Sequence, residues 1–397
     1  MLRKTLIYLA VCLSTYSSGN AQIVNTGQKI FIGTGGTVHV PESFKNISGS
    51  VLNNGRFIVK GDWHNNDAAG KVFDNRSTGK VILSGVNQTI TGSSITSFPD
   101  LELAGSGIIA LDRSAEVFGT LTLNDKEFLT KSNNLIITNT KPDAITRTTG
   151  YINTALGGRL IRNTNSTAAY SFPLGSSSAS KYRPIFIEPK SNQPMSFSAS
   201  FHNDNPTASG YNVLNKTSDI KSVFDKYFFL IDQVSGPDNA NIKFYINTMD
   251  GDLKQMVSWG ASKMWEKAPS TYLDGSFGDN LNRELHVTTN QSIKNVAFTL
   301  AELQIVTTDT PIAFFNAFSP NGDGSNDSWE IKNIDLFPDN EVSIFNRAGN
   351  EVYNTKGYSS TKVWDGGDFN SGTYYYVVKV NVNGTAKNFK GFITMLK

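Results

Sequence analysis

Five short apolar stretches between residues 22 and 145 each begin directly after a glycine: Gly36-Thr-Val-His-Val, Gly55-Arg-Phe-Ile-Val, Gly79-Lys-Val-Ile-Leu, Gly107-Ile-Ile-Ala-Leu and Gly119-Thr-Leu-Thr-Leu. Several alternate apolar and polar residues, the period of a half-buried strand. Asn53-Asn54, Asn65-Asn66 and Asn133-Asn134 fall between them, and Asn tolerates the left-handed backbone of tight corners. Strands this short cannot bury a face alone; stacking on neighbouring copies lets them do so. A parallel β-helix-like solenoid is therefore predicted over residues 22–145. The glycine intervals of 19, 24, 28 and 12 residues suit rungs with variable insertions. An ordinary β-sandwich with long loops is the alternative.

The texture changes near Asn139. From 146 to 306 the strands lengthen, and Met195, Phe197, Ala199 and Phe201 fall on one face of a single alternating run. This pattern predicts an antiparallel β-sandwich. Thr307 to Pro311 reads as a linker, and residues 311–397 follow as a third module. There Val342-Ser-Ile-Phe and Glu351-Val-Tyr flank a turn-rich loop, and Asn383-Gly384 marks a second hairpin. Seven or so short strands at this spacing predict an immunoglobulin-like sandwich, so the fold class is all-β throughout.

Residues 1–21 read as an export signal. Arg3 and Lys4 precede the apolar run Leu6 to Leu13, and Ser17 to Ala21 form a small-residue cleavage zone. The apolar run is too short to span a bilayer, and no later stretch is apolar enough to do so. The sole cysteine, Cys12, lies inside this segment behind Val11, which does not suit lipidation; the mature chain is expected to lack thiols. Lys plus Arg total 36 against 34 Asp plus Glu, and loss of Arg3 and Lys4 brings the two to parity. A neutral chain carries no footprint for nucleic acid or an anionic membrane.

Catalytic signatures are sparse, and no enzymatic activity is expected. His39, His64, His202 and His286 are scattered singly, without metal-ligand spacing, and neither a nucleophile elbow nor a phosphate-binding loop occurs. Polysaccharide-cleaving β-helices gather carboxylates on one face. Here Asp62, Asp67, Asp74 and Asp100 sit at strand ends and corners. Aromatic rings also serve sugar stacking. Trp63 and Tyr375 are assigned to sheet cores, whereas Trp259 and Trp265, in a loop-rich context, are the candidate glycan-binding pair.

Phe318-Ser-Pro-Asn-Gly-Asp-Gly-Ser-Asn-Asp-Ser-Trp holds Asn321, Asp323 and Asp327 at the alternating spacing of calcium ligands. An EF-hand needs glycine sixth and glutamate twelfth, and Asn326 and Lys332 occupy those places. A turn in which Asp and Asn bond their own backbone is favoured over a calcium cage.

The same stretch opens a longer series. After it come Ile334, Phe337-Pro338, Val342-Ser-Ile-Phe-Asn-Arg-Ala-Gly-Asn-Glu-Val-Tyr, Tyr358, Trp364-Asp-Gly, Gly372-Thr-Tyr-Tyr-Tyr and Gly391-Phe-Ile-Thr-Met-Leu-Lys. In this order they resemble the gliding-motility-associated C-terminal domain of Bacteroidetes surface proteins, the type B sorting domain of the type IX secretion system. Ala348 stands where that family usually has Trp, and the loop before Gly372 is shorter. Tyr170-Ser-Phe-Pro-Leu-Gly with Tyr182-Arg-Pro loosely resembles another recurring segment of such proteins. The resemblance implies passage to the periplasm, then recognition of the folded C-terminal domain by the outer-membrane translocon, with a PorP/SprF-like barrel as associated partner. It points to Phe318, Pro320, Asn346, Arg347, Gly349, Trp364, Gly372 and Tyr374 as partner-binding residues. The expected protein is secreted to the cell surface or medium as an adhesin or surface-assembly component linked to gliding. A glycan-binding or glycan-cleaving protein, and an accessory of the secretion or motility apparatus, are the alternatives.

Overall fold

The computed structural model describes residues 22–68, 70, 72–154, 156–177, 181–237, 239–289, 293–304, 312–382 and 385–397. The expected export signal, the linker at 307–311 and the Asn383-Gly384 turn lie outside them. The protein is all-β, with 52% strand and 3% helix. Among the described residues no helix is long and apolar enough to cross a membrane. Two compact units form: one ends at Thr164 and takes in residues 175–177, and the other comprises 165–174 and 178–397.

The first unit is a β-solenoid of about seven turns. Its rungs pair in parallel, as Thr37–Val40, Arg56–Val59, Lys80–Leu83, Asp100–Leu103, Leu121–Thr122 and Ile145–Thr146 do along one side. Because stacked strands lie about 4.8 Å apart, equivalent residues form columns. Phe57, Val81, Leu101, Leu121 and Ile145 make one such column, and all are buried. Parallel pairing continues past residue 145, where Asn134–Ile137 pairs with Arg159–Thr164.

The register explains the irregular glycine intervals. Gly36, Gly55 and Gly79 stack at one corner, where Arg56 N–H donates to Gly36 O and Lys80 N–H to Gly55 O, both at 2.9 Å. A Cβ on Gly79 would lie 2.4 Å from Gly55 O, so the column has room for glycine alone there. The next rung places Pro99 in the column, and Gly119 follows, its N–H donating to Pro99 O at 3.0 Å. The true steps, 36 to 55, 55 to 79, 79 to 99 and 99 to 119, are 19, 24, 20 and 20 residues. Gly107 instead heads Ile108–Leu111, which pairs with Gln88–Gly92 on another side.

Trp63 anchors the interior. It is fully buried, with ring centroids of Phe44 at 4.6 Å, Phe98 at 5.1 Å, Phe73 at 5.5 Å and Phe57 at 5.7 Å. Its indole N–H donates to Thr96 Oγ1 at 3.0 Å. Asn25, Asn46 and Asn65 occupy successive rungs in register, and Asn25 Nδ2 donates to Asn46 Oδ1 at 3.0 Å. Two of the corner carboxylates bridge adjacent rungs: Asp62 accepts from Thr89 N–H and Asp100 from Thr120 N–H, each at 2.7 Å.

In the second unit, Met195–His202, Phe228–Ser235, Val296–Leu303, Gln255–Trp259 and Trp265–Lys267 pair antiparallel in that order. A separate antiparallel sheet runs Tyr170–Phe172, Ile185–Pro189, Ala240–Ile246, Arg283–Val287 and Ser270–Asp274. Phe244 of the latter meets Phe229 and Phe298 of the former, with centroids at 5.2 and 5.6 Å. Met195, Phe197, Ala199 and Phe201 are buried on one face of Met195–His202, and Ser196, Ser198 and Ser200 on the other are buried too. That strand is covered on both sides.

Beyond residue 312, Ala317–Phe318, Thr385–Met395, Gly372–Val382, Asn340–Phe345 and Glu351–Lys356 form one sheet in that order. Ala313–Phe314 and Ile331–Lys332 form a two-stranded ladder. The core holds Phe318, Trp329, Tyr358, Trp364, Tyr374 and Tyr376 with Val342, Ile344, Val378 and Ile393.

Candidate functional site

Most of the sequence motif in the C-terminal module builds its interior. Trp364 packs against Phe318 and Tyr374, both centroids at 5.2 Å. Tyr358 joins two segments: its hydroxyl donates to Trp329 O and accepts from Trp364 N–H at 2.9 Å. Burial raises the Tyr358 phenol well above its usual pKa, so it remains a donor. Gly366, in the Trp364-Asp-Gly-Gly turn, has φ +82°, and a Cβ there would lie 2.2 Å from Met395 Sδ. Phe318, Trp364 and Tyr374 are thus core side chains, and their number in the motif reflects packing.

Arg347, Gly349 and Gly372 are exposed, and Pro320 and Asn346 are half-buried. Asn346 shapes the hairpin tip: its Oδ1 accepts from Ala348 and Asn350 N–H groups, both at 3.0 Å. Gly349 adopts φ +85°, so the motif asparagine and glycine set the turn that presents Arg347.

In the loop at 319–328, Asp327 accepts from Gly322 N–H at 2.7 Å and Gly324 N–H at 2.8 Å. Asn321 Oδ1 accepts from Asp323 N–H at 3.1 Å, and Asp323 Oδ1 from Ser325 N–H at 2.8 Å. These N–H groups, Gly322 first and Gly324 next, hold the Asp327 carboxyl below its usual range. Gly322, Gly324 and Asn326 take positive φ, which turns the loop back on itself. Asn321 Oδ1, Asp323 Oδ1 and both Asp327 oxygens thus accept from the loop's own backbone, and Asp323 Oδ2 accepts from Asn321 Nδ2 at 2.9 Å. Among the described residues no group of three or more His, Cys, Asp or Glu is gathered as a metal site.

The tryptophan pair is not a loop feature. Trp259 and Trp265 face each other across a hairpin with centroids at 5.4 Å. Trp265 is fully buried and donates to Tyr211 O at 3.4 Å, while Trp259 is half-buried. The loop assignment fails because the turn at Gly260–Met264 is tight and both flanks are strands.

Two outward sheet faces went unread in the sequence. On the sheet that begins at Tyr170, Phe186, Lys243, His286 and Thr271 form one transverse row. Lys243 Nζ lies 2.9 Å from Glu188 Oε1, and Tyr245 donates to Glu284 Oε2 at 2.6 Å. Glu188, first by its hydrogen bond, raises the Lys243 pKa, so this half-buried ammonium stays charged. His286 Nε2 lies 3.8 Å from Glu188 Oε2. The second face lies in the C-terminal module. Tyr374 and Tyr376 point inward, so Tyr375, assigned to the core from sequence, points out and is 47% exposed. Strict alternation within Tyr374–Tyr376 carries that signal.

Comparison with curated proteins and with solved structures finds no match to this chain. Residues 312–395 match the family model described as the CHU_C type IX secretion signal domain, and the chain therefore carries a signal for export through the type IX secretion system.

Proposed function

We propose that this is a non-catalytic surface protein, an adhesin or surface-assembly component linked to gliding, which the type IX system delivers outside the outer membrane. The secretion signal behind a β-solenoid is the observation that carries this reading. A stacked solenoid offers repeated, rigid columns of outward side chains suited to extended contact. The ring contacts between the two sheets of residues 170–303 support the sandwich reading of that region, and the five- and two-stranded ladders support an immunoglobulin-like reading of the last. The translocon and a PorP/SprF-like barrel are the proposed partners, with Arg347 and the Asn346–Gly349 turn among the exposed contacts.

The test is a deletion strain in a bacterium with a working type IX system, scored for attachment to glass and for spreading on agar. Reduced attachment or spreading, restored by the full gene, is expected. Parental behaviour overturns the adhesin reading, and loss of export of other type IX substrates assigns the protein to the apparatus. The Phe186–Lys243–His286 face, with Glu188, Glu284 and Tyr245, favours a second reading as a glycan binder: carboxylates accept sugar hydroxyls and rings cover pyranose faces. Full-length protein on a glycan array tests it, and an empty array overturns it.

A further inference from the structure

In the five-stranded sheet of the C-terminal module, Phe345, Tyr375 and Phe392 stand directly opposite one another on three adjacent strands. Their neighbours in sequence, Ile344, Tyr374, Tyr376 and Ile393, are buried, so this row lies on the outer face. Tyr375 is 47% exposed and Phe392 52% exposed. On the core side the same strands already have their aromatic complement in Phe318, Trp329 and Trp364. Phe345 is half-buried at the end of the row, and none of the three belongs to the module's core cluster; outward aromatic rows of this kind mark contact surfaces.

The flanks say what kind of surface fits. Ser343, Val377 and Lys390 form the next outward row, and Glu341, Lys379 and Lys356 the one after. Lys379 Nζ lies 3.2 Å from Glu341 Oε2 and occupies that carboxylate. Arg347 sits at the hairpin tip two residues from Phe345, and Glu351 pairs with Phe345 at the sheet edge. Four cations thus stand against two carboxylates around the row, one of which is engaged. The complementary surface is apolar at its centre and edged with carboxylates.

We propose that this face is where a protein component of the type IX machinery reads the signal: Phe345, Tyr375 and Phe392 enter an apolar recess whose acidic rim meets Lys390 and Arg347. The inference rests on the export reading above and names the surface that performs it. Aromatic residues contribute the desolvated centre of such an interface, and the rim charges steer the encounter. The other exposed apolar residues of the module, Phe315, Phe369 and Leu396, lie outside this row.

The test places Tyr375→Thr/Phe392→Thr in the full chain, keeping residues suited to strands, and measures surface against periplasmic protein in a type IX-competent bacterium. At least a tenfold fall in surface protein, with an unchanged melting temperature and with Phe369→Ser exported normally, is expected. Should the double variant melt early, Arg347→Glu/Lys390→Glu, which leaves the row intact, is expected to reduce export at least fivefold; normal export of a stable charge-reversed chain overturns the proposal. Normal export of the Thr variant, with export lost on deletion of 312–397, overturns this surface and leaves the export reading standing. Normal export after that deletion removes the export reading itself. A dimer in sedimentation that the Thr variant dissociates without changing export assigns the row to self-association, and overturns the proposal too.

Discussion

Arg183 and Asp250 make a buried ion pair whose cost of disruption follows from its geometry. Their side chains are 1% and 2% exposed, and Arg183 Nε lies 2.8 Å from Asp250 Oδ2. Arg183 Nη2 donates to Asp250 Oδ1 and Asn247 Oδ1, both at 2.9 Å, and Nη1 to Tyr182 O at 2.7 Å. Asp250 also accepts from Asn247 N–H at 3.1 Å, closing a capping box on the short helix Thr248–Asp250. Asp250→Ala strands the guanidinium, which costs about 3–5 kcal/mol, and removes a cap worth about 1 kcal/mol. A loss of about 4–6 kcal/mol is expected. Arg183→Leu strands the carboxylate and costs about 3–5 kcal/mol. In Arg183→Leu/Asp250→Leu both charges are gone; the lost cap, which leaves Asn247 N–H unpaired, and the orphaned Tyr182 O leave a cost of about 2–3 kcal/mol. The double variant is thus more stable than Asp250→Ala. Urea titration with pulsed hydrogen-exchange mass spectrometry, followed on peptides covering Ile185–Pro189 and Ala240–Ile246, reads all three. Additive single costs, or an Asp250→Ala loss under about 1 kcal/mol, would show that the pair is solvated and the reasoning wrong.

In the solenoid, Trp63→Ala removes the ring at the centre of four phenylalanines, and a loss of about 4 kcal/mol by urea titration is expected; less than 1 kcal/mol would mean the interior collapses around the gap. Gly79→Ala forces the rungs apart at Gly55 O, with an expected cost of about 3 kcal/mol, against about 1 kcal/mol for Gly70→Ala, where only positive φ is strained. Asp327, with its folded pKa depressed by the Gly322 and Gly324 N–H groups, contributes stability above the unfolded aspartate pKa and loses it as pH falls through the folded value. Its carboxyl carbon shift, followed by NMR in acid, is expected to titrate below the usual aspartate range; a normal midpoint would mean that the loop is open in solution. Millimolar calcium is expected to leave the melting temperature unchanged, and a rise of several degrees would restore the cage of Asn321, Asp323 and Asp327.

How much of this was legible depended on which interactions are local. Period-2 alternation and Asn-Gly chemistry are properties of a few consecutive residues, and they sufficed to place the solenoid and its strands. The rung length was hidden because stacking is a relation between residues about 20 apart, and two unlike residues can share one column. Pro99 fills a glycine site, while Gly107 belongs to another corner. Trp265 was misplaced for a related reason. Ser258, Gly260, Ser262 and Lys263 suggest a loop, but Ser258 lies in a strand and the five residues Gly260–Met264 make a hairpin turn, and burial is decided by Tyr211 more than fifty residues earlier.

The C-terminal module shows the same limit in a sharper form. A motif made of Phe, Trp, Tyr and Gly in fixed order reads naturally as a recognition sequence, yet those residues have strong packing reasons to be where they are. Trp364 needs Phe318 and Tyr374 beside it, Tyr358 needs two backbone partners, and Gly366 needs the space of a missing side chain. These aromatic side chains are spent on the interior of the domain. The surface proposed above consists of residues alternating with the motif: Tyr375 between two buried tyrosines, Phe392 before buried Ile393, Phe345 after buried Ile344. A substitution in the buried set should abolish export by unfolding the module, whereas one in the outward row should abolish it with the fold intact. Melting temperature and surface delivery measured on the same variants separate the two, and an unfolded module that is still exported would show that the machinery reads a linear peptide.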